Sequence, residues 1–300
     1  MKKVGKFLLC LLPLIVFVSL QLILGVMGGM GAGFVVGVEV GMKGLGNDMA
    51  YITQRTEEIL EIITPIIIFM SHLLAIVIGC IWVYALFGKK KPGNPVKAFS
   101  WMTLAVLVLC AVGLQYACSA ALNIVEIINP VLMENYNQLM ESAGMNSMNP
   151  FTIIATVCLA PIGEELLFRG VTFRFAKNAG LGFWAANILQ AVCFGIAHMN
   201  IVQGIYAFFM GLVLGYVYEK YNSLYVPILL HAFFNLLGTV GGSVLEFIFG
   251  ESNLEPAMIS CVIAFVVFAV ILAVGILLIQ KDKKAGHPVE DKGEGEYAAL

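Results

Sequence analysis

The sequence predicts an all-α, polytopic membrane protein, and three observations predict it. Sixty per cent of the 300 residues are hydrophobic and only 12% are charged, with a mean hydropathy of +0.92, whereas soluble domains hold roughly 45–50% apolar residues. The apolar residues gather into runs of about the 20 residues that a bilayer-spanning helix needs. Lysine and arginine alternate from rich to poor in successive connections, the pattern of a chain that crosses a membrane repeatedly.

The runs lie near 7–27, 62–87, 99–128, 151–172, 181–199, 202–219, 224–248 and 257–280, which makes about eight helices. The opening "MKKVGKFLLCLLPLIVFVSLQLILG" is basic at its start like a signal peptide. Its apolar stretch exceeds the roughly 7–15 residues of a signal's hydrophobic core, so it reads as the first helix. Between the first two helices Gly25, Gly29, Gly33, Gly37 and Gly41 recur every fourth residue, a stripe expected to let helix backbones approach closely. The second helix carries His72 within "IIIFMSHLLAIV", where a single histidine on an apolar face reads as satisfied packing. Near the end of the third, Glu126 is placed to reach the outer interface. Pro161 in the fourth either kinks that helix or opens a helical segment whose first turn holds Glu164.

Lys2, Lys3 and Lys6 precede the first helix, Lys89, Lys90, Lys91 and Lys97 follow the second, and Arg174 and Lys177 follow the fourth. Lys220 follows the sixth, and Lys281, Lys283, Lys284 and Lys292 follow the eighth, while the alternate connections hold only Lys43 and Arg55. Both termini are therefore expected on the cytoplasmic side. The segments "NPVLMENYNQLMESAGMNSMNP" and "GESNLEP" carry no Lys or Arg and read as outside loops. The whole of 1–280 is expected to be one integral membrane domain, and 281–300, polar and charged, a disordered cytoplasmic tail with His287 in water. A net charge of −2 points to no nucleic-acid partner; the bilayer itself is the expected surrounding, in a multi-pass protein of the cell membrane. The seven cysteines sit in apolar runs without paired loop spacing or C-x-x-C, so neither a disulfide framework nor a cysteine zinc site is indicated.

Against this background "APIGEELLFRG", residues 160–170, places two glutamates and an arginine in an apolar run. On a helix Glu165 lies over Arg169 one turn later, with the acid N-terminal in the favourable order, so the two form a structural ion pair. Glu164 diverges by about 100° and is left as a lone carboxylate needing a partner on another helix. An ionisable group inside a membrane is a functional candidate by default. In "NILQAVCFGIAH", Asn187, Gln190, Phe194 and His198 share one helical face; Asn187 and Gln190 either face substrate or bond a neighbouring helix. In "HAFFN", His231 and Asn235 are four apart, and Gly238 and Gly242 continue their face. One carboxylate, two imidazoles and one amide on three helices can converge in a bundle.

This constellation resembles the CPBP family, the type II CAAX prenyl endopeptidases and their bacterial bacteriocin-processing or immunity (Abi) relatives. Its E-E-x-x-x-R appears as Glu164, Glu165 and Arg169, its F-x-x-x-H as Phe194 and His198, and its H-x-x-x-N as His231 and Asn235, in family order over about 151–248. The resemblance implies an intramembrane endopeptidase acting on a membrane-associated protein or peptide, prenylated or bacteriocin-like. Glu164 and His198 would activate water, His231 and Asn235 would stabilise the oxyanion, and Phe194 would pack and orient the site. A positioned base and fixed oxyanion donors are sound means to that end. The family has also been described as metalloproteases, which would make Glu164, His198 and His231 zinc ligands. The chain lacks H-E-x-x-H, and asparagine is an uncommon zinc ligand, so the expectation is a glutamate mechanism without metal or other cofactor. Two other functions fit the composition: a non-proteolytic immunity or scaffold protein, and a transporter with Glu164 and the histidines as a proton relay.

Depth presents a conflict. On straight spans Glu164 lies roughly 13 Å from the cytoplasmic end of its helix and His231 roughly 10 Å from its own, while His198 falls near the outer end. Convergence requires the fifth helix to be tilted or sunken, or its start and that of its connecting segment "AKNAGLGFW" to lie elsewhere.

Overall fold

The computed structural model describes residues 3–46, 48–87, 99–144, 149–249, 257–283 and 285, with side chains except at 3–6, 86, 87 and 242–249. Every regular element among them is helical. Two long helices, α1 (Lys3–Lys43) and α2 (Met49–Phe87), form a hairpin. The helical ends at 28–43 and 49–61 replace the long connection expected from the sequence. Apolar and glycine residues continue past the predicted end of the first span with no proline to stop them, and the chain reverses only at Gly44, where φ is +68°. The tip is closed by charge: Glu39 receives Lys43 Nζ at 2.8 Å and Arg55 Nε at 2.9 Å, and Arg55 Nη1 reaches Glu58 at 2.7 Å. At 1.5 Å per residue α1 is about 60 Å long, twice a typical hydrocarbon thickness of about 30 Å.

The glycine stripe does not do what its period suggested. Among the described residues, a Cβ at Gly25, Gly29, Gly33, Gly37 or Gly41 would meet nothing within 4 Å; the glycine that α2 does approach is Gly28, beneath Ile63 and Ile67. A four-residue period sets a face, but which face is covered depends on where the partner helix lies.

Helix α3 (Trp101–Ile128) starts at a capping box, Ser100 and Thr103 bonding each other's backbone N–H. It packs closely on α9 (Met258–Ile279), where a Cβ at Gly113 would come 2.8 Å from Leu272 Cα and one at Gly275 3.4 Å from the Cys110 nitrogen. Buried Asp282, just beyond α9, ties that end by accepting from Thr103 Oγ1 at 2.6 Å and Tyr221 Oη at 2.9 Å. The expected tail boundary therefore moves outward: Asp282 and Ala285 are packed, and 286–300, with His287, lie outside the described residues. So do the lysines at 89–91 and 97, and "GESNLE" at 250–255.

The connection 129–142, expected as a loop, is helix α4 (Pro130–Ser142), capped by Asn129 Oδ1 on Leu132 N–H with Pro130 in the first turn. Its Met133 and Tyr136 pack on Val202, and Tyr136 Oη meets Tyr206 Oη at 3.3 Å. Next comes α5, the continuous helical run Pro150–Asn178, containing two π-helical stretches at Ala155–Leu159 and Phe168–Phe173. After it come α6 (Phe183–Ala197), α7 (Ile201–Tyr221) and α8 (Tyr225–Phe249). Among the described residues six helices are long and apolar enough to cross a membrane, and Phe183–Ala197 and Tyr225–Gly241 are apolar but shorter.

The shortness of α6 bears on the conflict of depth. Fifteen residues rise about 22 Å, well under a full span. The helix stops at Ala197, His198 is its C-cap, Met199 turns with φ +52°, and Asn200 caps α7 by accepting from Gln203 N–H. His198 thus sits at a turn inside the bundle.

Candidate active site

The site forms where α2, α5, α6 and α8 meet. Helix α5 approaches α2 through glycine: a Cβ at Gly163 would lie 3.2 Å from Ala75 Cβ and 3.3 Å from the His72 carbonyl oxygen, and one at Gly170 2.9 Å from Val83. Gly79 does the same from the other side, against Leu166. Small residues permit this approach, as in other membrane helix pairs, and it brings α2 against the turn that holds the glutamates.

Both glutamates are buried, Glu164 at 6% and Glu165 at 0% exposure. Glu165 Oε1 accepts from Arg169 Nη1 at 2.7 Å, the i, i+4 contact expected, and also from His231 Nδ1 at 3.0 Å. The second partner was not legible from helical spacing. Arg169, fully buried, also donates Nη2–H to the Gly211 carbonyl at 3.2 Å and lies over the Phe194 ring at 4.6 Å. Phe194 is the hub: His198 and His231 meet its ring edge-to-face with centroids 5.0 and 5.8 Å away, and Phe168 does so at 5.3 Å.

Glu164 lies between two imidazoles. His231 Nε2 is 3.7 Å from its Oε2, and His72 Nε2 is 3.4 Å from its Oε1. The structure thus corrects the reading of His72 as packing alone. A signal existed: His72, Ala75, Gly79 and Val83 fall on one face of α2, and all four line the close approach to α5.

Backbone carbonyls fix two ring tautomers. His72 Nδ1 is 2.8 Å from Ile68 O and His198 Nδ1 is 2.9 Å from Phe194 O. A carbonyl only accepts, so each Nδ1 carries the proton. His198 therefore keeps Nε2 for other work.

Asn235 donates Nδ2–H to the Thr156 carbonyl at 2.8 Å. The contact falls in a π turn, where the Ala160 N–H bonds Ala155 O, five residues back, just before Pro161. Pro161 lies within the continuous run, at the start of its α-helical stretch Ala160–Leu167, and Asn235 from α8 bonds the Thr156 carbonyl in the turn before it. Such π segments recur at functional sites. Asn187 and Gln190 are interhelical rather than substrate-facing, donating to the Leu212 carbonyl at 3.0 Å and the Gly211 carbonyl at 2.8 Å.

Glu164, His72, His198, His231 and Asn235 line one cavity of about 610 Å³, roofed by Tyr136, Asn137 and Met140 of α4. Among the described residues no arginine or lysine lines it. Among the described residues no three His, Cys, Asp or Glu side chains are grouped to hold a metal ion.

Fold and site together define an α-helical membrane protein with a buried carboxylate and imidazole centre opening on an internal cavity. Residues 146–237, which hold all three motifs, match the Rce1-like family, described as Type II CAAX prenyl endopeptidase Rce1-like; the family resemblance drawn from those motifs is borne out. The chain is 30% identical over 86 residues to "Putative membrane peptidase YdiL" of Bacillus subtilis, and 28% identical over 88 residues to "UPF0177 protein YbdI" of Lactococcus lactis. Each match covers 29% of this chain, but only 35% and 46% of those relatives. No solved structure matches.

Proposed function

We propose that the chain is an intramembrane endopeptidase in which Glu164 is the base that activates water. The observation that carries this reading is Glu164 itself: a buried carboxylate free of Arg169, in contact with histidine rings and exposed to a cavity large enough for an extended peptide segment. Water held between Glu164 and the free Nε2 of His198 loses a proton to the carboxylate and attacks the peptide carbonyl carbon. The developing oxyanion is met by the doubly protonated form of His231, which donates Nδ1–H to Glu165 and Nε2–H into the cavity, and by the second N–H of Asn235. The proton taken by Glu164 then passes to the leaving amine, so the base regenerates. No step passes through a metal or other cofactor.

The substrate is a membrane-associated protein or peptide. Family likeness favours a prenylated or bacteriocin-like one. Glu164→Gln keeps the side chain's size and removes the base. Comparing newly formed N-termini in membranes of cells carrying wild type or Glu164→Gln at equal abundance tests the reading. Fragments present with wild type and reduced at least about 10²-fold in the variant are expected, the share a general base supplies. Identical fragment profiles would overturn it in favour of a non-proteolytic role.

A further inference from the structure

Glu164 has a neighbour that lies outside the segment matched by the family. His72 belongs to α2, and only the glycine-mediated approach of α2 to α5 brings its ring to the carboxylate. Its ring is held from three sides: Nδ1–H donates to Ile68 O at 2.8 Å, Ser71 Oγ lies 3.4 Å from the same nitrogen, and Phe17 of α1 packs edge-to-face at 6.1 Å. With Nδ1 committed, the atom facing Glu164 Oε1 is Nε2. Two bare lone pairs at that distance would repel in a buried site, so one proton lies between them, an attraction strengthened by the low local dielectric.

We propose that His72 is the positioning residue of Glu164. It anchors the Oε1 edge of the carboxylate through that shared proton and so turns the Oε2 edge toward His231 and the cavity. This role rests on Glu164 acting as the base of the proposed peptidase. The two oxygens divide the work: one is held by α2, and the other is presented to the reacting water. Misplacing a reacting group by about 1 Å can cost about 10²-fold in rate, so anchoring of this kind affects turnover more than affinity.

The test uses the full chain in lipid nanodiscs with ¹⁵N-labelled histidine. Four histidines are few enough to assign by single substitution. Glu164→Gln should shift the Nε2 resonance of His72, and this readout needs no substrate. With a cleaved peptide from the membrane comparison as probe, His72→Phe should lower kcat about 10- to 100-fold with KM within about twofold. His72→Gln, which keeps an N–H donor at the same reach, should recover most of that loss. A His72 resonance unmoved by Glu164→Gln overturns the proposal, as does a folded His72→Phe with wild-type kcat. If wild type cleaves nothing, the peptidase reading falls, and the His72 resonance still decides whether the anchor exists.

Discussion

Removing the Arg169 guanidinium should destabilise the fold by a predictable amount, and the loss should be repairable at one position only. Arg169→Met deletes the donor 2.7 Å from Glu165 Oε1, the donor on Gly211 O and the cation over Phe194. Both members of the pair have side chains with 0% exposure, and removing one partner of a buried pair costs about 3–5 kcal/mol. Glu165 keeps the His231 Nδ1–H at 3.0 Å, which places the loss near the lower bound, about 3 kcal/mol. At roughly 2–4 °C per kcal/mol, the melting temperature should fall by roughly 6–12 °C. Adding Glu165→Gln removes the stranded charge and leaves an amide oxygen for His231, so about half the loss should return. Adding Glu164→Gln should return none, because Glu164 touches His72 and His231 rather than Arg169. Tryptophan fluorescence melting of the purified variants in detergent reads all of these. Rescue by Glu164→Gln, or a melting temperature unchanged by Arg169→Met, would refute the division of the two glutamates.

Three further outcomes follow from the same geometry. Gly163→Val drives a branched side chain into Ala75 and the His72 backbone, so it should cost about 1–3 kcal/mol in melting and lower cleavage as His72→Phe does; Gly33→Val, which meets nothing within 4 Å, should change neither. With both termini proposed on the cytoplasmic side, single cysteines at Asn137 and at Lys91, in a chain without native cysteines, should react with an impermeant reagent from outside only at Asn137; the reverse pattern removes the orientation. Elemental analysis of active protein should find well below one zinc per chain, and chelation should leave cleavage standing. Stoichiometric zinc whose removal and return switch activity off and on would instead make the histidines ligands.

The sequence alone determined the helical class, because spans of about 20 apolar residues can satisfy their backbone in a bilayer in few ways. It determined the register of side chains within each helix, since 3.6 residues per turn is a local rule: Glu165 over Arg169, and His231 in line with Asn235, follow from spacing. It placed α3 and α5 to α9 to within a few residues at most ends, where cap residues and composition change together. The ends of α1 and α2 escaped it because glycine-rich and mixed polar segments carry no stop signal, and α4 escaped because its Asn129–Pro130 start sits in a stretch too polar to read as a span.

Only the tertiary structure decided which helices touch. Whether a glycine serves as a contact depends on the neighbour opposite it, so Gly163, Gly79 and Gly170 bring helices together while the more regular stripe on α1 meets nothing described. That single packing choice admits His72 to the site. The bond from His231 to Glu165, and from Asn235 to the Thr156 carbonyl in the π turn before Pro161, join positions 66 and 79 residues apart. Local periodicity states which way a side chain points along its own helix, and only the packing of one helix on another states what it points at.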